Sequence, residues 1–336
     1  MSGREARLWR RTEGGGVLCL LCGRKCLLRE GERGFCEARI HEGGGLKTLN
    51  YGAAEAVNLD PVEKKPLHHF LPGSLTFSVG APGCTFDCLG CQNHSLSRPG
   101  NTYSGPLRET PPEALIRAAR ESGARSLSFT YSEPTAFFEY AEDAGRRGKE
   151  AGLPGIWVTN GFFSREALDR LDYVSAMNID LKGFTEGFYR EVTGGSLGRV
   201  RENIKEVKAR GIWLEVTTLL IPTVNDNESD LKALAAFLAE VSPDIPWHVS
   251  RFIPLHRQSH LHQTPESSLE RAREIGREAG LRHVYLGNVG GRGYSDTLCP
   301  GCGAPLIKRS GYSVSLNRLS GSGECPECGE RIMGVW

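Results

Sequence analysis

From Leu75 onward, short runs of apolar and β-branched residues alternate with longer stretches whose apolar residues recur every three or four positions. The first kind predicts buried strands and the second amphipathic helices. The strand runs are LTFSVG, SLSFTY, GIWVTN, VSAMNIDL, WLEVTTLLI, WHVSRFI and HVYLG. Between them lie the helical stretches TPPEALIRAARESG, AFFEYAEDAGRRGKEAG, SREALDRL, RVRENIKEVKARG, ESDLKALAAFLAEV and PESSLERAREIGREAG. In the first helix Thr110 stands as the cap with Pro111 in the first turn, and Leu115, Ala118 and Ala119 share one face. Strands and helices alternating at this length imply right-handed crossovers and a parallel sheet. The fold class is therefore α/β, a partial or full parallel (β/α) barrel rather than two doubly wound halves.

A barrel fixes where chemistry sits, because reactive groups collect where its strands end and its loops begin. Cys84 follows the first strand run, Glu133 the second, Asn160 the third, Asp180 and Lys182 the fourth, and His256 the sixth. Asn225 and Asn288 occupy equivalent places but read as turn residues.

Both flanks break the pattern. Residues 1–50 open on a basic, glycine-rich run expected to fray, followed by CLLCGRKCLLREGERGFC. Cys19, Cys22, Cys26 and Cys36 make a closed four-thiolate set that suits zinc or an auxiliary iron-sulfur cluster in a structural role. The stretch DPVEKKPLHHFLPGS, Asp60 to Ser74, reads as an extended linker on the main domain, with His68 and His69 as surface or packing histidines. In the tail, paired CPGCG and CPECG knuckles predict a structural zinc ribbon on Cys299, Cys302, Cys325 and Cys328, with a second iron-sulfur cluster as the alternative. The expected division is 1–74 for the N-terminal metal-binding segment and linker, 75–290 for the barrel and 291–336 for the ribbon.

Charge and composition narrow the class. The 336 residues carry a formal net charge of +1, so nothing pulls the chain toward nucleic acid or an anionic membrane. No run approaches the roughly 20 apolar residues that span a bilayer, and the start MSGREARLWRR lacks a signal-peptide core, which predicts a cytoplasmic protein. All 11 cysteines fall into three groups, an arrangement that suits metal sites in a reducing compartment better than disulfides.

The third group, in CTFDCLGCQN, is the reactive candidate. Cys84, Cys88 and Cys91 can each reach a different iron of one cubane [4Fe-4S] cluster, leaving a fourth corner open. An incomplete zinc knuckle or a reduced thiol cluster is the plain alternative.

The CxxxCxxC of Cys84, Cys88 and Cys91 resembles the cluster motif of the radical S-adenosylmethionine superfamily, and Gln92-Asn93 is similar to an extension seen in activating enzymes for glycyl radical proteins. The likeness extends over nearly the whole chain to the radical enzymes of the AmmeMemoRadiSam system, through CLLC, DPVEKKPLHHFLPGS, TYSEPTAFFEY, VTNGFF, NIDLKGF, TTLLIPTVND, VSRFIPLHR, VYLGNV and the CPxCG pair. The resemblance implies that the open iron chelates S-adenosylmethionine. It also implies that Tyr131, Ser132 and Glu133 stand where the family has a GGE-type motif, that Asp180 and Lys182 lie near the ribose and carboxylate, and that His256 and Asn160 are further contacts. Two departures stand out: the paired glycines are absent, and Gly90 occupies a place where an aromatic residue is common.

On this reading an external one-electron donor of the flavodoxin or ferredoxin type drives cleavage to a 5'-deoxyadenosyl radical, which takes hydrogen from a substrate. The barrel loops and the two metal-bearing caps are expected to shield it. The substrate is a protein glycine, as in the activating enzymes, another AmmeMemoRadiSam partner, or a small molecule. A non-enzymatic zinc-ribbon protein that binds nucleic acid or protein is the reading from another class, and it gives no reason for the polar rim.

Overall fold

The computed structural model describes residues 3–100, 102–106, 108–291, 293–319 and 321–336. Its centre is an eight-stranded sheet in which spatial order follows chain order. The strands are β1 (Ala56–Pro61), β2 (Leu75–Gly80), β3 (Ser126–Phe129), β4 (Gly155–Thr159), β5 (Val174–Asp180), β6 (Trp213–Leu220), β7 (Trp247–Arg251) and β8 (Val284–Gly287). From β2 to β8 every pairing is parallel, while β1 lies antiparallel on β2. Among the described residues β8 does not pair back to the start, so the barrel is partial and keeps two lateral edges. Strands β3 and β6 are almost wholly buried, as expected where a parallel sheet is covered on both faces.

Five long helices fill five of the six crossovers: α1 (Pro112–Glu121), α2 (Phe138–Glu150), α3 (Leu197–Ala209), α4 (Glu228–Val241) and α5 (Glu266–Glu278), while the crossover from β4 to β5 carries only the single turn Arg165–Leu168. Helix α1 begins one turn position later than the sequence implied. Pro111 takes the cap place with extended dihedrals, Pro112 opens the helix, and no side chain caps it. Leu115, Ile116 and Ala119 face the sheet, and Ala118 is only half-buried.

The stretch read as a linker is built into the core. Its first residues form the end of β1, and both histidines are buried, His69 completely. They lie at the barrel floor, where the parallel strands begin. The Glu215 carboxylate accepts from the His68 and His69 N–H groups at 2.9 and 2.7 Å, from Trp213 Nε1 at 3.0 Å and from His248 Nε2 at 2.6 Å. His69 Nδ1 donates to the Met333 carbonyl at 2.9 Å, and its Nε2 accepts from the Tyr285 hydroxyl at 2.6 Å. Burial holds His68 and His69 well below ordinary histidine values and His283 near 4.

The same floor anchors the C-terminal segment. Val335 and the backbone around His69 exchange hydrogen bonds, Arg309 Nη2 donates to the His68 carbonyl at 2.7 Å, and Arg282 pairs with Glu330 at 3.2 Å. The ribbon, with its three-stranded antiparallel sheet, therefore closes the end opposite the rim. The expectation that both metal-bearing caps shield the reactive end is corrected: only the N-terminal one is placed to do so.

That N-terminal segment forms two three-stranded sheets from residues 4–48. Met1 and Ser2 lie outside the described residues; from Gly3 the basic opening run is tied down rather than frayed, because Arg7 binds Glu142 at 2.7 Å and Asp143 at 2.8 Å on α2. The segment then leans on the loop after β4, where Cys22 bridges to Phe163 and Gly23 N–H donates to the Phe162 carbonyl at 3.0 Å.

Candidate active site

The loop that follows β2 carries Cys84, Cys88 and Cys91, all half-buried. Its conformation is held from several sides. The Asp87 and Leu89 N–H groups donate to the Thr193 and Val192 carbonyls at 2.9 and 3.0 Å, and Arg257 N–H donates to the Leu89 carbonyl at 3.0 Å. Asn93 Nδ2 donates to the Tyr131 carbonyl at 2.7 Å, which ties the cysteine loop to the loop after β3. Ser132 Oγ donates to the Ala81 carbonyl and makes a second tie.

Burial, together with Glu133 and the neighbouring thiols, pushes Cys84 well above the ordinary thiol value. Cys88 rises to about 11, burial outweighing the opposing charge of Lys182. Thiols so placed stay protonated at neutral pH unless a metal supplies the compensating charge. At least one pair of their sulfurs stands more than 4.8 Å apart, farther than two thiolates on a single ion. Among the described residues the group with all ligand atoms within 4.8 Å of one another is Cys299, Cys302, Cys325 and Cys328. Three separated thiols on one loop beside a lysine fit a multi-iron cluster better than a zinc knuckle.

The other predicted residues converge on this loop in different ways. Asn160 Nδ2 lies 3.8 Å from Cys84 Sγ and donates to Thr85 Oγ1 at 2.9 Å. Lys182 Nζ pairs with Asp180 at 2.9 Å, and both stay partly exposed. Burial works against the lysine charge, but Asp180, Cys88 and Cys91 hold its pKa above the usual range. His256 stands at the rim with its ring stacked on that of His94, centroids 4.4 Å apart.

Glu133 differs from expectation. Its carboxylate is 1 % exposed and accepts from Thr135 N–H and Oγ1 at 3.0 and 2.6 Å, Thr159 Oγ1 at 2.7 Å and Asn160 N–H at 2.8 Å. It holds Asn160 in place from below the rim. Tyr131 has φ +69 and turns its hydroxyl outward to Asp60 on β1 and to Asn58. Asn225 and Asn288 behave as turn residues, although Asn225 Nδ2 also fixes the Lys182 carbonyl at 2.7 Å.

Gly90 has a steric reason. A Cβ there would meet Gln258 Oε1 at 2.4 Å and Phe252 at 3.2 Å, so the loop after β7 occupies the space a side chain would need. Arg24 and Thr85 were not singled out in the sequence. Arg24 Nε donates to the Thr85 carbonyl at 2.8 Å and reaches the loop from 61 positions away, a contact that no local pattern signals.

Residues 78–238 match the Radical SAM superfamily. The chain is 39% identical over 332 residues to an uncharacterised protein of Methanocaldococcus jannaschii, covering 98% of each. It is 29% identical over 175 residues to an isethionate sulfite-lyase activating enzyme of Nitratidesulfovibrio vulgaris, covering 49% of this chain and 56% of that one. Among solved structures, SuiB of Streptococcus suis bound to S-adenosylmethionine aligns with TM-score 0.50 at 16% identity, over 67% of this chain and 52% of SuiB. A radical SAM methyltransferase from Sphaerobacter thermophilus also aligns with TM-score 0.50 at 16% identity, over 70% and 71%. With its cysteine loop at the rim of a partial parallel barrel, this chain belongs to the Radical SAM superfamily, as an enzyme related to the activating enzymes.

Proposed function

We propose that Cys84, Cys88 and Cys91 hold a [4Fe-4S] cluster beside bound S-adenosylmethionine, and that the enzyme abstracts hydrogen from a polypeptide substrate, a glycine being the first candidate. When bound, the cluster supplies the electron that splits S-adenosylmethionine into methionine and a 5'-deoxyadenosyl radical. The observation that carries this reading is the rim itself: three separated thiols share one loop with Asn160 against Cys84, and a lysine charge acts on Cys88 and Cys91.

The chain's own residues then have distinct tasks. Lys182 offsets thiolate charge, and with Asp180 it presents both signs to a zwitterionic ligand where water screens poorly. Glu133 acts at one remove by fixing the Asn160 backbone. Tyr131 shapes the facing loop through its backbone carbonyl, which accepts from Asn93, and Ser132 through its hydroxyl, which donates to the Ala81 carbonyl. The loop after β7, with Phe252 and Gln258 packed on Gly90, covers one flank.

Two observations favour a polypeptide over a small molecule. The first is the likeness to an activating enzyme. The second is the exposure of Ile253 and Leu255 on the rim loop and of Val57 and Leu59 on the lateral edge strand, apolar surface that suits an extended chain. A small substrate remains the second reading. Anaerobically reconstituted and reduced enzyme, supplied with S-adenosylmethionine, is expected to release 5'-deoxyadenosine. Deuterium from an α-labelled glycine peptide is expected in that product; label acquired only from a small metabolite would replace the polypeptide reading.

A further inference from the structure

Tyr131 stands where a glycine would be at ease. The Ser132 N–H donates to the Thr130 carbonyl at 2.9 Å across Tyr131, and φ +69 at the tyrosine makes this the rare, strained form of γ-turn. Glycine adopts that conformation freely, whereas a bulky residue keeps it only where its surroundings hold it there. The contacts show what holds this one. The side chain crosses the end of β2, where a Cβ on Gly80 would lie 3.0 Å from the Tyr131 Cβ and 3.1 Å from its Cδ2. Its hydroxyl donates to Asp60 and accepts from Asn58 Nδ2 at 3.0 Å, both on β1.

Asp60 is built as a strong acceptor. It is 4 % exposed and, besides the hydroxyl, takes Lys64 Nζ at 2.8 Å and Lys65 Nζ at 2.6 Å. Burial works against its charge, but these three donors hold the carboxyl far below the usual carboxylate range, so it stays ionised. Lys65, itself buried, also lies 4.5 Å from the centroid of the Tyr131 ring. The stretch DPVEKK thus carries a fixed charge cluster, and the tyrosine is what it grips.

The other side of the turn meets the reactive loop. The Tyr131 carbonyl accepts from Asn93 Nδ2 at 2.7 Å. Asn93 occupies the cap place of the helical turn His94–Ser97, where an asparagine side chain ordinarily accepts from the turn's own N–H groups, yet it makes no such bond. Its amide is spent on Tyr131 instead. Cys91, two residues earlier, has its Sγ 3.7 Å from Ser97 Oγ in the same turn. We propose that Tyr131 is a positioning residue for Cys91: Asp60, through the tyrosine hydroxyl, fixes a strained turn whose carbonyl fixes Asn93 and the end of the cysteine loop. Outer contacts of this kind orient a metal ligand without touching the metal. The role of Cys91 as an iron ligand rests on the rim cluster proposed above, whereas its dependence on Tyr131 does not.

Two variants separate the turn from the ring. Tyr131→Phe keeps the strain and loses the bonds that offset it, so the turn should relax and release Asn93. Tyr131→Gly loses the ring but takes up the turn freely. In the zinc-loaded, iron-free full chain, iodoacetamide labelling read by peptide mass is expected to modify Cys91 about tenfold faster in Tyr131→Phe than in wild type, with Cys84, which other contacts hold, unchanged. Tyr131→Gly should stay within about threefold of wild type, although its melting temperature falls below that of Tyr131→Phe. Labelling that follows the melting order would mean general loosening and would overturn the proposal, as would equal Cys91 rates in wild type and Tyr131→Phe. The double variant Tyr131→Phe/Asn93→Ala should label no faster than the faster single variant, because both changes break one path. Effects that multiply would show that Asn93 does not carry it. No cluster takes part in this measurement, so a rim that holds no iron would sink the rim cluster and leave the order of rates standing.

Discussion

Two segments of this chain each carry four cysteines, and they sit at opposite ends of the barrel. At the floor, two glycine-closed knuckles repeat one pattern: Cys299 and Cys325 N–H groups donate to Ala304 and Glu330, and Gly303 and Gly329 N–H groups return to Cys299 and Cys325. Both glycines have φ +76, and the knuckles meet across a small antiparallel sheet with their sulfurs at single-ion distance. At the rim end, the other four come from a strand end and a loop pressed against the reactive cysteine loop. Equal numbers of cysteines thus stand in different surroundings. Location separates a support at the floor from a segment that leans on the loops of the reactive end.

The comparison breaks first at the rim. Cys84→Ala, Cys88→Ala and Cys91→Ala are each expected to abolish 5'-deoxyadenosine formation while the ribbon keeps its zinc, because two thiolates do not retain a cubane at working potential. Product analysis alongside zinc and iron counts checks this; full turnover with a complete cluster in any variant contradicts the ligand assignment.

Acid tests the floor. His68, His69 and His283 are held neutral by burial, so the unfolded chain binds more protons than the folded one below about pH 6.5. Their contribution to stability is complete above that pH and is lost as the pH falls toward 4. His283 alone accounts for about 3 kcal/mol by then. Thermal melting between pH 7 and pH 4 should show the loss, and His283→Gln should flatten the slope. An unaltered slope removes this histidine as a cause.

Cys325→Ser is expected to cost the ribbon its zinc and the protein about 3 kcal/mol, since a structural zinc contributes folding energy directly. Rim iron should stay in place. Iron lost together with stability would show that floor and rim are not separate units.

The smallest expected effects separate two carboxylates that look alike in sequence. Asp180 is partly exposed and, among the described residues, pairs through its side chain with Lys182, so Asp180→Ala should weaken S-adenosylmethionine binding about tenfold, or about 1.4 kcal/mol. Glu133 already accepts four protein hydrogen bonds, so Glu133→Ala is expected to lower the melting temperature first and affinity only through Asn160. Equal affinity losses at equal stability would return Glu133 to direct contact.

The strands were legible because a parallel sheet buried on both faces writes near-continuous apolar runs, as in LTFSVG and WLEVTTLLI. The rim was legible for a related reason: once strand ends are known, Cys84, Asn160, Asp180, Lys182 and His256 fall on one edge. Strand β1 was not, since Val57, Asn58 and Leu59 are all exposed at a lateral edge and show no alternation. The buried histidines were illegible because their partners lie far along the chain, Glu215 at 146 positions and Met333 at 264 positions from His69. Glu133 shows the same limit. Its position after β3 was readable, but the hydroxyls of Thr135 and Thr159 that satisfy it depend on how neighbouring strands are paired.

The central claim is that a cluster held by the rim thiols meets S-adenosylmethionine. Electron paramagnetic resonance of the anaerobically reduced full chain, recorded with and without S-adenosylmethionine, tests it most directly. The account predicts that the signal lost in the Cys84→Ala/Cys88→Ala/Cys91→Ala variant is the one S-adenosylmethionine shifts. A shift that persists without the rim thiols, or no shift in wild type, would contradict it.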